Sequence, residues 1–274
     1  MINPASTDYQ LPERLTHGQM EIQQFSVIDS TNAEAMRQLQ TGRKGSFLLL
    51  AHTQTAGKGR RGKVWQSPPG AGIYMTLVRP FPHTTRELQA LSLITALSVH
   101  EALQTYQIPD FQLKWPNDLL VGKRKLGGIL LEMRQSNDAS YVLFGIGLNL
   151  KLPDATRGEI DQPAIDLNSL LQSTPDKSLI VAQLIESLFK NLEEFGNTSF
   201  DSFQARWNAL DCFIGQKIES HIGSQRKIGK SMGVDATGAL ILKTEAGIEK
   251  IGGGEIFPSI FRANENDCTE LELK

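Results

Sequence analysis

Short apolar runs of strand length, alternating with apolar residues at helical spacing, constrain this chain more than any other feature. Residues 47–51, 73–78, 111–115, 129–133 and 141–150 read as strands. Between and after them lie helical patterns. A first helix is expected to begin at Thr31, whose Thr-Asn-Ala-Glu run to Glu34 has the form of a capping box, with Met36 and Leu39 on one face. A second spans 86–106. In a third, Val181, Leu184, Ile185, Leu188, Leu192 and Phe195 share one stripe, and Phe200, Phe203, Trp207 and Leu210 repeat the spacing in the next segment. Such stripes are core rather than ligand contacts. Strands and helices so mixed must pack in layers, which gives an α/β or α+β fold.

After Leu210 the texture changes to short strands broken by glycines, at 213–222, 227–234, 239–243 and 248–251, as in a small antiparallel barrel. The expected organisation is a polar arm over 1–21, a large domain over 22–210, a small barrel over 211–262 and a frayed acidic tail over 263–274. With 274 residues and 40% hydrophobic content there is enough material for that core. The stretch 152–163 lacks periodicity and is expected to be a loop over a site.

Charge bears on partners. Lysines and arginines number 28 and acidic residues 30, a net charge of −2, so no global field holds nucleic acid or an anionic membrane and any anion site must be local. Cys212 and Cys268 have no metal-ligand spacing, residues 1–20 lack the apolar stretch of a signal peptide, and no later run is long enough to cross a bilayer. A soluble cytoplasmic protein is expected. His17, His52, His83, His100 and His221 form no ligand set, and there is no Gly-x-Ser-x-Gly elbow, so metal-hydrolase and serine-hydrolase readings lose support.

The densest chemical signal is Gly57-Lys58-Gly59-Arg60-Arg61-Gly62-Lys63, four cations and three glycines in seven residues. Glycine lets backbone approach a ligand, and guanidinium forks match phosphate and carboxylate oxygens. Gly57 and Gly62-Lys63 have the spacing of a P-loop, but Val64 stands where a magnesium-binding Ser or Thr is required, so a P-loop is rejected. A solvated basic turn is the alternative. In Lys114-Trp115-Pro116-Asn117-Asp118, turn formers place Asn117 and Asp118 at a sheet rim, where their oxygens can hold a nucleotide-bound Mg²⁺ and Lys125 can meet a developing anion. An ordinary turn with surface lysines fits as well. Gly145-Ile146-Gly147-Leu148-Asn149 lacks the third glycine of a dinucleotide fingerprint; its glycines would let a bulky ligand, or packing, lie against a strand. Gly252-Gly253-Gly254-Glu255 is a tight turn or a backbone cradle.

Taken in order, Ser30-Thr31-Asn32, Gln54 with the basic loop, Trp65, Lys114 to Asp118, Lys125-Leu126-Gly127-Gly128-Ile129, Gly145 to Asn149 and Gly252 to Glu255 resemble the motif series of biotin–protein ligases. The resemblance spans roughly residues 22–258; Lys58 departs from it, since many members have arginine there. It implies a mixed-sheet catalytic domain followed by an SH3-like barrel, ATP and biotin as substrates with Mg²⁺, and a biotin carboxyl carrier protein as acceptor. A homodimer pairing sheet to sheet is compatible with it. With the Ser-Thr-Asn motif at residue 30, the expectation is a form without an N-terminal DNA-binding module.

Carried over by resemblance, Ser30, Thr31, Asn32, Gln54, Gly57, Arg60, Arg61, Gly62, Trp65, Lys125, Gly128 and Gly147 bind biotin. Lys58, Arg60, Arg61, Trp65, Asn117, Lys125, Asn149, Gly252, Gly253 and Gly254 lie near the nucleotide, and Asn117 and Asp118 near the metal. Lys125, Arg60 and Asp118 are the expected catalytic groups. The rival readings are a lipoate or octanoate ligase or transferase of the same fold and, from another class, a non-catalytic biotin sensor or DNA-binding repressor.

Overall fold

The computed structural model describes residues 9–12, 15, 20–81, 88–136, 139–160, 162–222 and 225–258. Strand β2 (Phe47–Ala51) shows how the layers arise, because its side chains alternate between two cores: Leu48 and Leu50 enter the larger one, Phe47 and Leu49 the smaller. β3 (Gly72–Phe81) and β7 (Ser140–Asn149) alternate in the same way, with Val142, Phe144, Ile146 and Leu148 on one side and Tyr141 and Leu143 on the other. With β1 (Glu21–Phe25), β4 (Phe111–Lys114), β5 (Asp118–Val121) and β6 (Arg124–Gln135) they form a seven-stranded sheet ordered β1-β2-β3-β7-β6-β5-β4. Only β1 and β2 run parallel, so the sheet is mixed.

The two faces are covered unequally. Helices α2 (Leu88–Ala102), α5 (Lys177–Thr198) and α6 (Asp201–Leu210) bury the larger core, while α1 (Thr31–Gln40), through Ala35 and Leu39, covers only part of the other face. The uncovered half, where β6, β7 and β3 meet, is where the site forms. The short helices α3 (Asp154–Glu159) and α4 (Leu167–Leu171) lie in the stretch after β7. Strands β8 (Lys217–Ile222), β9 (Gln225–Val234), β10 (Leu240–Thr244), β11 (Gly247–Ile251) and β12 (Glu255–Pro258) make a five-stranded antiparallel sheet ordered β11-β10-β9-β8-β12. Its inward residues Ile218, Val234, Leu240 and Leu242 are continuous with the larger core. Trp115 Nε1 and Gln89 Nε2 both donate to Gly238 O, at 3.2 and 2.8 Å, and tie the two parts together.

Several expectations need revision. The N-cap of α1 is Ser30, whose side chain accepts from Ala33 N at 3.4 Å; Thr31 is the first helical residue, so the Thr31/Glu34 capping box does not form, and Glu34 pairs with Arg37 instead. The sequence pattern does not mark β1, β5 or β12, since all three have only four or five residues and β1 is mostly polar. The expected 86–106 helix is shorter: α2 ends at Ala102, a one-turn 3-10 helix follows over Gln104–Tyr106, and Arg86 lies outside the described residues. The 152–163 stretch contains α3 rather than loop alone. Within the supposed polar arm, Tyr9 and Met20 are buried and Leu11 and Leu15 pack on the core. The 263–274 tail, His17, His83 and Cys268 fall outside the described residues. Among the described residues no helix is long and apolar enough to cross a membrane.

Candidate active site

Glycines lower the floor of the half-covered sheet face. Gly128 on β6 lies opposite Gly147 on β7, and Gly145, two residues before Gly147, lies opposite Leu130. A Cβ at Gly145 would come within 2.4 Å of Asn32 Oδ1, and one at Gly147 within 2.5 Å of the Trp65 ring. These glycines therefore admit side chains of the chain itself. Above them lies a cleft of about 520 Å³.

One end of the cleft is a buried polar cluster at the start of α1. Thr31 N and Oγ1 both donate to Gln54 Oε1, at 2.8 and 3.2 Å, and Gln54 Nε2 donates to Ser67 Oγ at 2.9 Å. The Thr76 hydroxyl lies 2.8 Å from Thr31 Oγ1 and 2.5 Å from Asn32 Oδ1, while Asn32 Nδ2 donates to Glu132 at 2.8 Å. A chain of satisfied hydrogen bonds fixes the rotamers of Thr31, Asn32 and Gln54. Sequence reasoning missed Thr76, Ser67 and Glu132. Thr76 did carry a signal, being the one small hydroxyl residue, beside the aromatic Tyr74, in the apolar run from Ile73 to Val78.

The other end is cationic. Lys125 Nζ lies 2.7 Å from Asp118 Oδ1, with both side chains about 15% exposed, and 5.5 Å from the Trp65 ring centroid. Arg60 Nη1 donates to Asn117 Oδ1 at 3.2 Å and to Gly254 O at 3.3 Å. The basic segment is a narrow antiparallel ribbon: Trp65 N donates to Gly57 O and Gly59 N to Lys63 O, and the turn is made by Arg61 (φ 54°) and Gly62 (φ 76°). It rests on the C-terminal sheet, with Lys63 Nζ 2.9 Å from Glu255 and Arg61 Nη2 donating to His221 O at 3.5 Å. Burial lowers the Arg60 pKa, and the neighbouring Arg61 charge adds to that. Burial alone would raise Glu255; the Lys63 hydrogen bond and the charges of Lys63, Arg61 and Lys114 outweigh it and hold the carboxyl below its ordinary range.

The cleft brings together Ser30, Thr31, Asn32, Gln54, Lys58, Arg60, Trp65, Asn117, Asp118, Lys125, Gly128, Gly147 and Asn149. Gly57, Arg61, Gly62 and the triple glycine do not line it. Gly252 and Gly253 line a smaller adjoining cavity of about 200 Å³, which shares Arg60, Pro116 and Ile129 with the cleft. The two spaces meet at Arg60. Asn149 Nδ2 bonds Lys125 O and Ile165 O, at 3.2 and 3.0 Å, so in this state its amide pins residues 163–165 against β6. Glu159, Ile160, Gln162 and Ala164 line the cleft from that side.

A resident magnesium ion does not fit the donor set. Asn117 Oδ1 accepts from Arg60, Asn117 Nδ2 donates to Ile129 O, and Asp118 is paired with Lys125. Among the described residues no cluster of three or more His, Cys, Asp or Glu groups can hold a metal.

A family model described as the biotin/lipoate A/B protein ligase family matches residues 24–149, and one described as the biotin protein ligase C-terminal domain matches residues 213–257. The chain is 35% identical over 239 residues to the biotin–[acetyl-CoA-carboxylase] ligase of Paracoccus denitrificans, covering 84% of this chain and 97% of that protein. It is 33% identical over 259 residues to the bifunctional ligase/repressor BirA of Salmonella typhimurium, covering 90% of this chain and 80% of that one. In structure it is similar to a biotin protein ligase from Aquifex aeolicus solved in complex with biotin and ATP, with a TM-score of 0.74, 29% identity and coverage of 86% and 97%.

Proposed function

The chain belongs to the biotin protein ligase family, and from that premise we propose that it joins biotin to ATP as biotinyl-5'-AMP and then passes the biotinyl group to a lysine of a biotin carboxyl carrier protein. The observation that carries this reading is a cleft with a fixed polar cluster at one end and Arg60 and Lys125 at the other, across a glycine floor. A ligand with a polar head, an apolar middle and an anionic tail matches that order. Thr31, Asn32 and Gln54 receive the ureido head, where satisfied buried partners give specificity.

In the first half-reaction a biotin carboxylate oxygen bonds to the α-phosphorus of ATP, the bond from that phosphorus to the bridging oxygen breaks, and pyrophosphate leaves. Two anions must meet, so preorganised cations lower the barrier most. Arg60 stands where the cleft joins the smaller cavity and donates to Gly254 O, which supports a role for it between the carboxylate and a nucleotide near Gly252 and Gly253. Lys58, Arg61 and Asn149 belong to the same nucleotide side. Mg²⁺ arrives as part of MgATP, on the nucleotide's own phosphates. In the second half-reaction the acceptor amine attacks the acyl carbon, the bond from that carbon to the phosphate oxygen breaks, AMP leaves, and the amine nitrogen gives up its proton to Asp118. A lysine of ordinary pKa about 10.4 must react as the free base, and Asp118, released when Lys125 turns to phosphate, orients it.

Purified protein given biotin and MgATP should release pyrophosphate and label an apo carrier domain, whereas lipoate or octanoate offered in parallel should do neither. Lys125→Ala should slow single-turnover adenylate formation on the order of 10²-fold. An unchanged rate would remove Lys125 from the mechanism.

A further inference from the structure

The C-terminal sheet carries a feature that the chemistry above does not use. On its outer face Lys217 of β8 is the direct cross-strand partner of Lys230 on β9, and Lys230 that of Lys243 on β10. All three are exposed, and among the described residues none pairs with a carboxylate. Other cations of the same sheet do pair: Arg226 and Lys227 of β9 with Glu219 and Glu249, and Lys250 of β11 with Asp235. Like charges directly opposite destabilise a sheet. Lysines that guard against strand addition belong on edges, yet this row crosses β8, β9 and β10, the three interior strands.

Apolar side chains interleave with the row. Ile228 and Met232 flank Lys230 along β9 and are 42% and 45% exposed, and Ile248, opposite Lys243 on β11, is 71% exposed. Cations among uncovered aliphatic groups suit a protein surface with its own apolar contact and a carboxylate rim. A nucleic-acid strand would call instead for a series of stacking aromatics, whereas Phe257 is the one exposed aromatic of this sheet among the described residues. The face is also continuous with the cleft. Ile228 pairs with Glu219, Glu219 with Phe257 on β12, and Phe257 lines the cleft, so the rim lies two strand spacings, roughly 10 Å, from β9.

We infer that this face is the docking surface for the acceptor protein, which presents carboxylates to Lys217, Lys230 and Lys243 and reaches across Phe257 to deliver its lysine to the cleft. The inference rests on the ligase reading and adds to it the surface chemistry of the partner. Opposite charge on the two faces also speeds encounter, in a way that salt suppresses.

The test compares the full chain with its K217E/K230E/K243E variant in two assays: biotin-dependent pyrophosphate release, which needs no acceptor, and transfer to an apo biotin carboxyl carrier domain at several salt concentrations. The variant should release pyrophosphate at the wild-type rate, with about a 10-fold or greater rise in KM for the carrier domain and a flattened salt dependence. The corresponding Lys→Gln triple variant, which perturbs the strands less, should fall between the two. A carrier-domain KM and salt slope equal to wild type in the folded Gln and Glu variants would overturn the inference. So would variants that lose affinity for duplex DNA or anionic vesicles while keeping the carrier KM. Wild-type protein that releases no pyrophosphate would instead bring down the ligase reading, and this inference with it.

Discussion

Trp65 and Gly147 make one unit at the scale of single residues. The indole occupies the volume that any side chain at 147 would need, it lies 3.3 Å from where a Cβ of Gly128 would be, and its Nε1 is buried without a hydrogen-bond partner. With no hydrogen bond, and only packing and the Lys125 charge 5.5 Å from its centroid to hold it, the ring can be displaced. In Gly147→Ala the new methyl should push the indole out of the cleft at a cost of about 1–3 kcal/mol and raise KM for biotin. Trp115 and Trp207 are fully buried, so a change in tryptophan emission that disappears in a Trp65→Phe background would report the displacement. Emission and KM both identical to those of the parent would show that the floor tolerates the methyl. The same residue scale explains why Asp118 and Lys125, both of which line the cleft, stand out in the sequence while their mutual pairing does not: each type announces chemistry, but 2.7 Å between them depends on the β5–β6 bulge that sets Asp118 opposite Gly128.

At the scale of elements, the stretch between β7 and α5, pinned to β6 at residues 163–165, has its two short helices joined by one carboxylate. Asp166 is the N-cap of α4 and is almost fully buried; it accepts from Ser169 N at 2.7 Å and Leu152 N at 3.0 Å and is paired with Arg157 of α3. One side chain thus ties both short helices to the end of β7. Asp166→Ala should destabilise the protein by roughly 2–4 kcal/mol, since it removes a cap and leaves a cation and two N–H groups without their acceptor. Urea unfolding gives the loss, and amide exchange should quicken over residues 152–166 first. Uniform exchange across the chain would mean that the stretch is secured elsewhere. Neither helix was legible in the sequence, because at six and five residues they are too short to show a 3.6-residue period.

The junction between the two sheets matters for the whole molecule. Asp211 closes α6, Cys212 N donates to Leu113 O at 2.9 Å, and Asp211 Oδ1 accepts from Phe213 N at 2.9 Å, whereas its Oδ2 is buried without a partner. Burial pushes this carboxyl from an ordinary 3.8 up to about 6. The folded state therefore favours the protonated form. Its contribution to stability is complete below about pH 4 and is lost as pH rises through 6, a change on the order of 3 kcal/mol at about 1.36 kcal/mol per pH unit. Asp211→Asn keeps the acceptor for Phe213 N and should flatten that part of the profile, as urea midpoints between pH 4 and 8 would show. An unaltered profile would place the pH dependence in other groups.

The order of motifs, the strand and helix types with strong periodicity, and the change of texture after Leu210 were determined by the sequence, because each is a local property of spacing or residue chemistry. The stripes of α5 and α6 are buried as expected for the same reason. What tertiary structure decided is which residues face one another. Only the sheet order brings β6 and β7 together so that Gly128 meets Gly147 beneath Trp65, and only the packing of the C-terminal sheet sets Gly254 and Glu255 against Arg60 and Lys63. Arg60 and Lys63 lie nearly two hundred residues from Gly254 and Glu255 along the chain, and no local pattern carries information over that distance.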